Sequence, residues 1–205
     1  MLKGHQSWKF RRKPVIAASA SVVGPFEGRG PLGGDFDIVH GDSLVGQNSW
    51  EQAEQTMLEE AAKLAIQYAG LTQDQIQFYV GGDLLNQITS TSYTARTLSV
   101  PYLGVFGACS TSMESLAVAS YLVGTGGAKY ALAATCSHNS SIEKQFRYPT
   151  EYGSQKPPTA QYTVTGAGAA VVSESGDGPV IASATIGRVV DMGIKDPFNM
   201  GAAMA

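Results

Sequence analysis

The residue best placed to do chemistry is Cys109. It follows an apolar run, Tyr102 to Phe106, and the small residues Gly107 and Ala108, and it precedes a helix-compatible stretch that reaches about Gly124. Thr111 and Glu114 have capping-box spacing, so a helix is expected to start one or two residues after the cysteine. The first N–H groups of such a helix have no intrahelical acceptor; aimed at the sulfur, they would stabilise a thiolate there. His138 and Asn139 fall just past the end of another strand-like run, where α/β folds place their chemistry. The plainer reading of His138 is a loop histidine bonded to backbone. Gly81, Gly82 and Asp83 follow a third such run, and small residues there admit a ligand, a second backbone or simply a tight turn. Asp35, Asp37, His40 and Asp42 have ligand-type side chains, but their spacing fits no calcium loop or zinc pattern, and no metal site is expected.

The elements that must position these residues follow from periodicity. Val15 to Val23 reads as a buried strand. From Trp50 to Ala69 the apolar residues Ala53, Met57, Ala61, Leu64, Ala65 and Tyr68 recur at three and four, with Glu51, Glu54, Glu59 and Lys63 on the other face; this is an amphipathic helix, capped by Ser49 with Gln52 and stopped by Gly70. Ile76 to Val80 is a strand, and Ser90 to Leu98 a short helix whose Tyr93 and Arg96 could reach a ligand or a subunit partner, although a surface role is the simpler reading. The helix after Cys109 has Glu114 as its one charge and reads as buried. Lys129 to Cys136 is a further strand, with Cys136 as a small core hydrophobe. Ser140 to Gln161 is a long irregular connection, of the kind that serves as a lid or interface. Tyr162 to Ser173 and Val180 to Val190 are expected to form a hairpin around Gly176-Asp177-Gly178. The fold class is therefore α/β: a mixed five-stranded sheet with helices on both faces, a buried central helix and an antiparallel edge from the last hairpin.

Composition narrows the function classes. A net charge of -3 without basic–aromatic interleaving argues against nucleic acid. Two distant cysteines build neither a disulfide scaffold nor a zinc site. Charged residues make up only 15% of the chain, which is sparse for a free surface and points to a covered face. No apolar run approaches the length of a membrane span, and no signal peptide is expected. Residues 1–14 read as a basic leader; Lys9, Arg11, Arg12 and Lys13 suit contact with anionic lipid, although a solvated leader is the simpler reading. Residues 15–196 read as the domain and 197–205 as the start of a connection to a second half.

Gly107-Ala108-Cys109-Ser110, the small-residue helix, Gly126 to Leu132 and Gly166 to Val171 resemble the first half of the thiolase-like condensing enzymes, the beta-ketoacyl synthase relatives included. Lys13 to Pro25, Asp35 to Gln47, Gly81 to Leu85 and Thr135 to Asn139 resemble, more closely, the stage V sporulation protein AD family within that superfamily. The superfamily resemblance implies that Cys109 matches an acyl-accepting nucleophile, whose assisting histidine and asparagine come from a second half; no residue here matches them, and His138 is not a substitute. The closer resemblance implies a noncatalytic protein that binds dipicolinic acid, with or without calcium, for uptake into the developing spore and release in germination. It further implies work beside other proteins of a spore membrane complex, at the periphery of the inner spore membrane. The expected ligand contacts are Cys109, Ser110, Thr111, Gly82, Asp83, His138 and Asn139, with no cofactor. The alternatives are an acyl-transfer enzyme using Cys109 and a structural subunit. A half-domain of this type exposes the face that meets its twin, so the chain is either a fragment or a homodimer over that face.

Overall fold

Strand-forming residues appear at the very start of the chain. The computed structural model describes residues 1–146 and 162–195. It begins with β1 (Leu2–Lys3), β2 (Ser7–Lys9) and β3 (Val15–Val23), then α1 (Pro25–Gly28), β4 (Ile38–Val39) and α2 (Trp50–Tyr68). There follow β5 (Phe78–Asp83), α3 (Thr89–Leu98), β6 (Tyr102–Gly104), α4 (Thr111–Thr125), β7 (Tyr130–Ser137), α5 (Asn139–Phe146), β8 (Gly166–Ser173) and β9 (Ser183–Thr185). The remainder of the expected connection, residues 147–161, and the expected tail, residues 197–205, lie outside the described residues.

The fold is mixed α/β as expected, around a six-stranded sheet in the order β4-β3-β8-β7-β5-β6. The count exceeds the expected five, with the two-residue β4 pairing parallel to β3 at one edge. The antiparallel strand is not at an edge. β8 lies between β3 and β7 and runs antiparallel to both. Its sequence, Gly-Ala-Gly-Ala-Ala-Val-Val-Ser, has no charge to expose, which suits a strand covered on both sides. The hairpin expected over 162–190 is replaced by a single bridge from Val180 to Val15, and β9 crosses to a separate sheet ordered β1-β2-β9.

Helices cover both faces. Ser49 Oγ accepts from the Gln52 N–H (3.3 Å), and α2 lays Met57, Leu58, Ala61, Ala62 and Ala65 on Ala20, Val22, Leu132 and Val171. Glu54 departs from its expected place on the solvent face: it is only 3% exposed, while Tyr68, expected on the buried face, is 53% exposed. On the opposite face α4 packs Ala119 and Val123 against Val80, Ala131, Ala133 and Val172. Its other side leaves Met113 and Tyr121 exposed.

The first residues are folded onto this frame. Trp8 packs against Tyr121 with ring centroids 4.6 Å apart and planes tilted by 48°, and Phe10 is buried against Gly124. Arg12 brings its guanidinium beside Gly126, at the C-terminal end of α4 where carbonyl dipoles favour a cation.

Gly81 and Gly82 lie within β5 rather than after it. A Cβ on Gly82 would come 1.9 Å from the Val105 carbonyl oxygen and 2.9 Å from Thr111 Cγ2, so it is a second backbone that approaches this glycine. Gly82→Ala must displace backbone in the centre of the sheet. It is expected to lower stability by about 3 kcal/mol, read as a fall in the urea midpoint at unchanged m-value.

Candidate functional site

The turn that carries Cys109 is built on β5. The Val105 N–H donates to the Gly81 carbonyl (3.0 Å), and Gly107 then leads into a 3-10 turn, Ala108–Ser110, that runs directly into α4. Ala108 holds a positive φ of 47°, a left-handed conformation that costs a residue with a Cβ roughly 1 kcal/mol. Hydrogen bonds across the turn hold it there. Thr111 Oγ1 donates to the Ala108 carbonyl (2.7 Å) and accepts from the Gly107 N–H (3.1 Å), and Ser110 Oγ donates to the Gly107 carbonyl (2.7 Å).

The helix starts where the spacing predicts, two residues after the cysteine, but not by the expected capping box. Ser110 enters the helix with helical dihedrals and makes no side-chain cap, and the Thr111 hydroxyl is spent on the turn behind it. A 3-10 entry supplies the first acceptors itself, so a capping side chain is not needed.

Cys109 is exposed at the mouth of an open cleft of about 460 Å³. Its walls are the start of α4 and the ends of β7 and β8, including Thr111, Ser112, Thr135, Cys136, Ser137 and Gly168, with Phe36 and Val164 at the sides. A second hollow of about 530 Å³ continues over β3 and β8 and shares Ser21, Ser112, Thr135 and Gly168 with the first. Of the seven expected contacts, Cys109 and Thr111 line the cleft.

The other five have different partners. Ser110 is bound into the turn, and Gly82 packs under Val105 and Thr111. Asp83 is buried, with Oδ2 accepting from the Ser90 N–H and Oδ1 from the Thr91 N–H, both at 2.8 Å, and from the Thr91 hydroxyl; it satisfies the N-terminus of α3. His138 is fully buried, accepts the Ser140 N–H on Nδ1 (3.1 Å) and donates from Nε2 to the Ser43 carbonyl (2.8 Å). Those two bonds fix the neutral tautomer, and burial lowers its pKa against the pull of the Ser43 carbonyl. His138 is thus the backbone-bonded histidine of the plainer reading, and it ties the 42–45 turn to the end of β7. Asn139 donates from Nδ2 to the Thr163 carbonyl (3.1 Å) and from its N–H to Thr165 Oγ1 (3.0 Å), which holds the strand that borders the cleft.

The acidic patch is dispersed in the same way. Asp37 Oδ2 accepts from the Ser21 N–H (2.8 Å) and hydroxyl (3.1 Å), and these bonds lower its pKa. His40 pairs with Glu60 at 2.7 Å.

Behind the cleft lies a polar group that sequence reasoning missed. Glu54 reaches from α2 toward Asp83 and Cys136, and its Oε2 accepts from Ser141 Oγ (3.5 Å). Burial, reinforced by the Asp83 charge, pushes its pKa up to about 7. The Cys136 thiol, 3.6 Å from Asp83 Oδ1, is pushed well up by burial and the same two carboxylates. Glu54 lies one turn before Leu58 on the stripe that continues through Ala61, Ala62 and Ala65, and that position was its available signal.

The family described as Stage V sporulation protein AD (SpoVAD) matches residues 4–205. Stage V sporulation protein AD of Bacillus subtilis (strain 168) is 52% identical over 204 residues; the match takes in 100% of this chain and 60% of that protein. The chain thus spans about 60% of the length of this relative. Among solved structures, 3-oxoacyl-[acyl-carrier-protein] synthase III from Aquifex aeolicus VF5 superposes with a TM-score of 0.54 at 18% identity, over 80% of this chain and 55% of that one. Xanthomonas campestris OleA with bound lauric acid and lauroyl-CoA gives 0.53 at 14% identity, over 78% and 56%. These likenesses establish a thiolase-like fold.

Two measurements check the site. Ellman's reagent should label one thiol per native chain rapidly and the second only on unfolding, with Cys109→Ala removing the fast one. For Glu54 the folded pKa of about 7 lies above the ordinary carboxyl value of 4.5, so its contribution to stability is fully present below about pH 4.5 and is lost as pH rises through 7. Glu54→Gln should remove that dependence. The stability difference between variant and parent, taken from urea titrations, should shift in the variant's favour by about 3 kcal/mol between pH 4.5 and pH 8.

Proposed function

The chain belongs to the stage V sporulation protein AD family, a family of sporulation proteins, and on that premise we propose that it binds dipicolinic acid in the cleft beside Cys109. The observation that carries this reading is the lining of the cleft: hydroxyls, a thiol and small side chains, with neither His40 nor His138 among them. Dipicolinate is a small planar dianion. It fits a volume of about 460 Å³, and Ser112, Thr135 and the Cys109 thiol offer donors around it. The calcium chelate is the favoured cargo, because the lining has no cation and the metal offsets the charge of the two carboxylates. In this reading Cys109 is a contact rather than a nucleophile, since among the described residues no base lines the cleft to take its proton. The protein acts at the inner membrane of the developing spore, beside the other proteins of its complex, in uptake and again in germination.

The exposed thiol on a strained turn favours one second reading, acyl transfer through Cys109. OleA, solved with lauroyl-CoA, has the same fold.

Calorimetry of the chain with dipicolinate, with and without calcium, tests the first reading. A ligand held at a hundred times its Kd should raise stability by about 2.7 kcal/mol, which thermal unfolding reads as a rise of several degrees. Gly168→Val is the blocking variant: nothing lies within 4 Å of a Cβ there, so the fold is kept while the side chain enters the cleft. Heat and stabilisation should both disappear in it. Absence of either effect in the parent overturns the reading, and a stable acyl mass increment on Cys109 after exposure to an acyl-CoA establishes the second.

A further inference from the structure

Across β5 from the turn that carries Cys109 lies a buried polar space. Tyr79, Gly81 and Asp83 alternate along the strand and share one face, while Gly82 turns the other face to Val105 and Thr111. Gly81 keeps the space open, since a Cβ there would meet the Tyr79 ring and hydroxyl and the Ala134 carbonyl. Asp83 pairs in register with Cys136 of β7, and Glu54 comes down on both from α2.

The two carboxylates are not equally provided for. Asp83 accepts from the Ser90 and Thr91 N–H groups and the Thr91 hydroxyl, at a helix N-terminus that favours an anion. Glu54 is 3% exposed; its Oε2 accepts from Ser141 Oγ at 3.5 Å, and its Oε1 has no hydrogen-bond partner among the described residues. The titratable groups around it are Asp83 on β5 and the Cys136 thiol on β7, with Tyr79 and Tyr102 beyond them. No lysine or arginine acts on Glu54, and His138, at the start of α5, feels Glu51 and Glu27 instead. A charge on Asp83 is therefore matched by its donors, whereas a charge on Glu54 stands uncompensated.

Cys136 joins this space to the cleft: its thiol lies 3.6 Å from Asp83 Oδ1, and the same residue lines the cleft beside Thr135 and Ser137. We propose that Glu54, backed by Asp83, sets the charge of the ligand the cleft accepts, disfavouring the free dipicolinate dianion relative to its calcium chelate. The inference rests on the reading of the cleft as a dipicolinate site. The hydroxyls and thiol of the lining serve either form and do not separate them. Charge does. Packed layers stand about 10 Å apart, and what lies between Glu54 and the cleft is strand rather than water. At that separation one further negative charge weakens the binding of a dianion by about tenfold and leaves a chelate of no net charge unaffected. The discrimination is relaxed while Glu54 keeps its proton and engaged when it loses it, so it grows as the pH rises through about 7.

Calorimetry of the whole chain at two pH values tests this. Both carboxyls of dipicolinate are ionised above about pH 6, so neither the dianion nor the chelate changes its own charge over the range used. Between about pH 6 and about pH 8.5 the Kd of free dipicolinate should rise roughly tenfold, while that of the calcium chelate stays within about twofold. In Glu54→Gln both should be level, with the dianion bound at the higher pH as tightly as at the lower; a cooperative urea transition confirms that the variant is folded. A second readout needs no dipicolinate. Ellman's reagent is a dianion and iodoacetamide is neutral, and the ratio of their rates at Cys109 cancels the ionisation of the thiol itself. That ratio should fall over the same pH range in the parent and stay level in Glu54→Gln. Absence of heat with either ligand at both pH values defeats the dipicolinate reading alone, and the rate ratio then decides this one. A level ratio in the parent, an equal pH dependence for dianion and chelate, or a pH dependence that survives in Glu54→Gln overturns the proposal.

Discussion

Everything around Cys109 depends on the empty space above Gly82. The Val105 carbonyl and the Thr111 side chain occupy the volume that any larger residue at 82 would fill. This contact lets the chain leaving β6 cross directly over β5, turn within four residues and enter α4. The left-handed Ala108 is then the geometric consequence of so short a path, and the Thr111 and Ser110 hydroxyls hold it closed. The thiol is presented outward because the backbone beneath it has nowhere else to go.

A division of labour follows between polar groups that build the fold and those that face the cleft. Asp83, His138 and Asn139 occupy strand ends, as ligand-binding residues do in many α/β proteins, yet each is consumed in joining one element to the next. Asp83 holds the start of α3, His138 holds the 42–45 turn, and Asn139 holds the approach to β8. The lining of the cleft falls instead to modest residues, Ser112, Thr135 and Gly168. Beneath them Glu54 and Asp83 share a desolvated space with the Cys136 thiol, where burial pushes the Glu54 carboxyl up to about 7.

What could be read from the sequence was what local periodicity encodes. β3, α2, α4 and β7 were all placed from their spacing, and the start of α4 was found to within a residue, because each signal is complete within a dozen positions. Pairing was not local. Nothing in Gly166 to Ser173 says whether it borders the sheet or lies between β3 and β7, and a glycine–aspartate–glycine turn after it argued for a hairpin that the partner strands overrule. Side-chain destinations failed for the same reason. Glu54 has the identity of a surface residue and the position of a core one, and only the arrival of Asp83 and Cys136 opposite it decides between them. The basic residues at the start read as a leader because their strand partner, β9, lies far along the sequence.

That last separation bears on how the molecule comes to be made. Gln6 bonds Ile186 across 180 positions, and β3 takes its long partner from β8. On the ribosome, β3 emerges early and has only the two-residue β4 beside it until residues 166–173 follow. The first long strand is therefore an open, aggregation-prone edge until β8 has been made, and the β1-β2-β9 sheet cannot close before β9 follows. A strand laid down early thus waits for a partner encoded about 150 positions later.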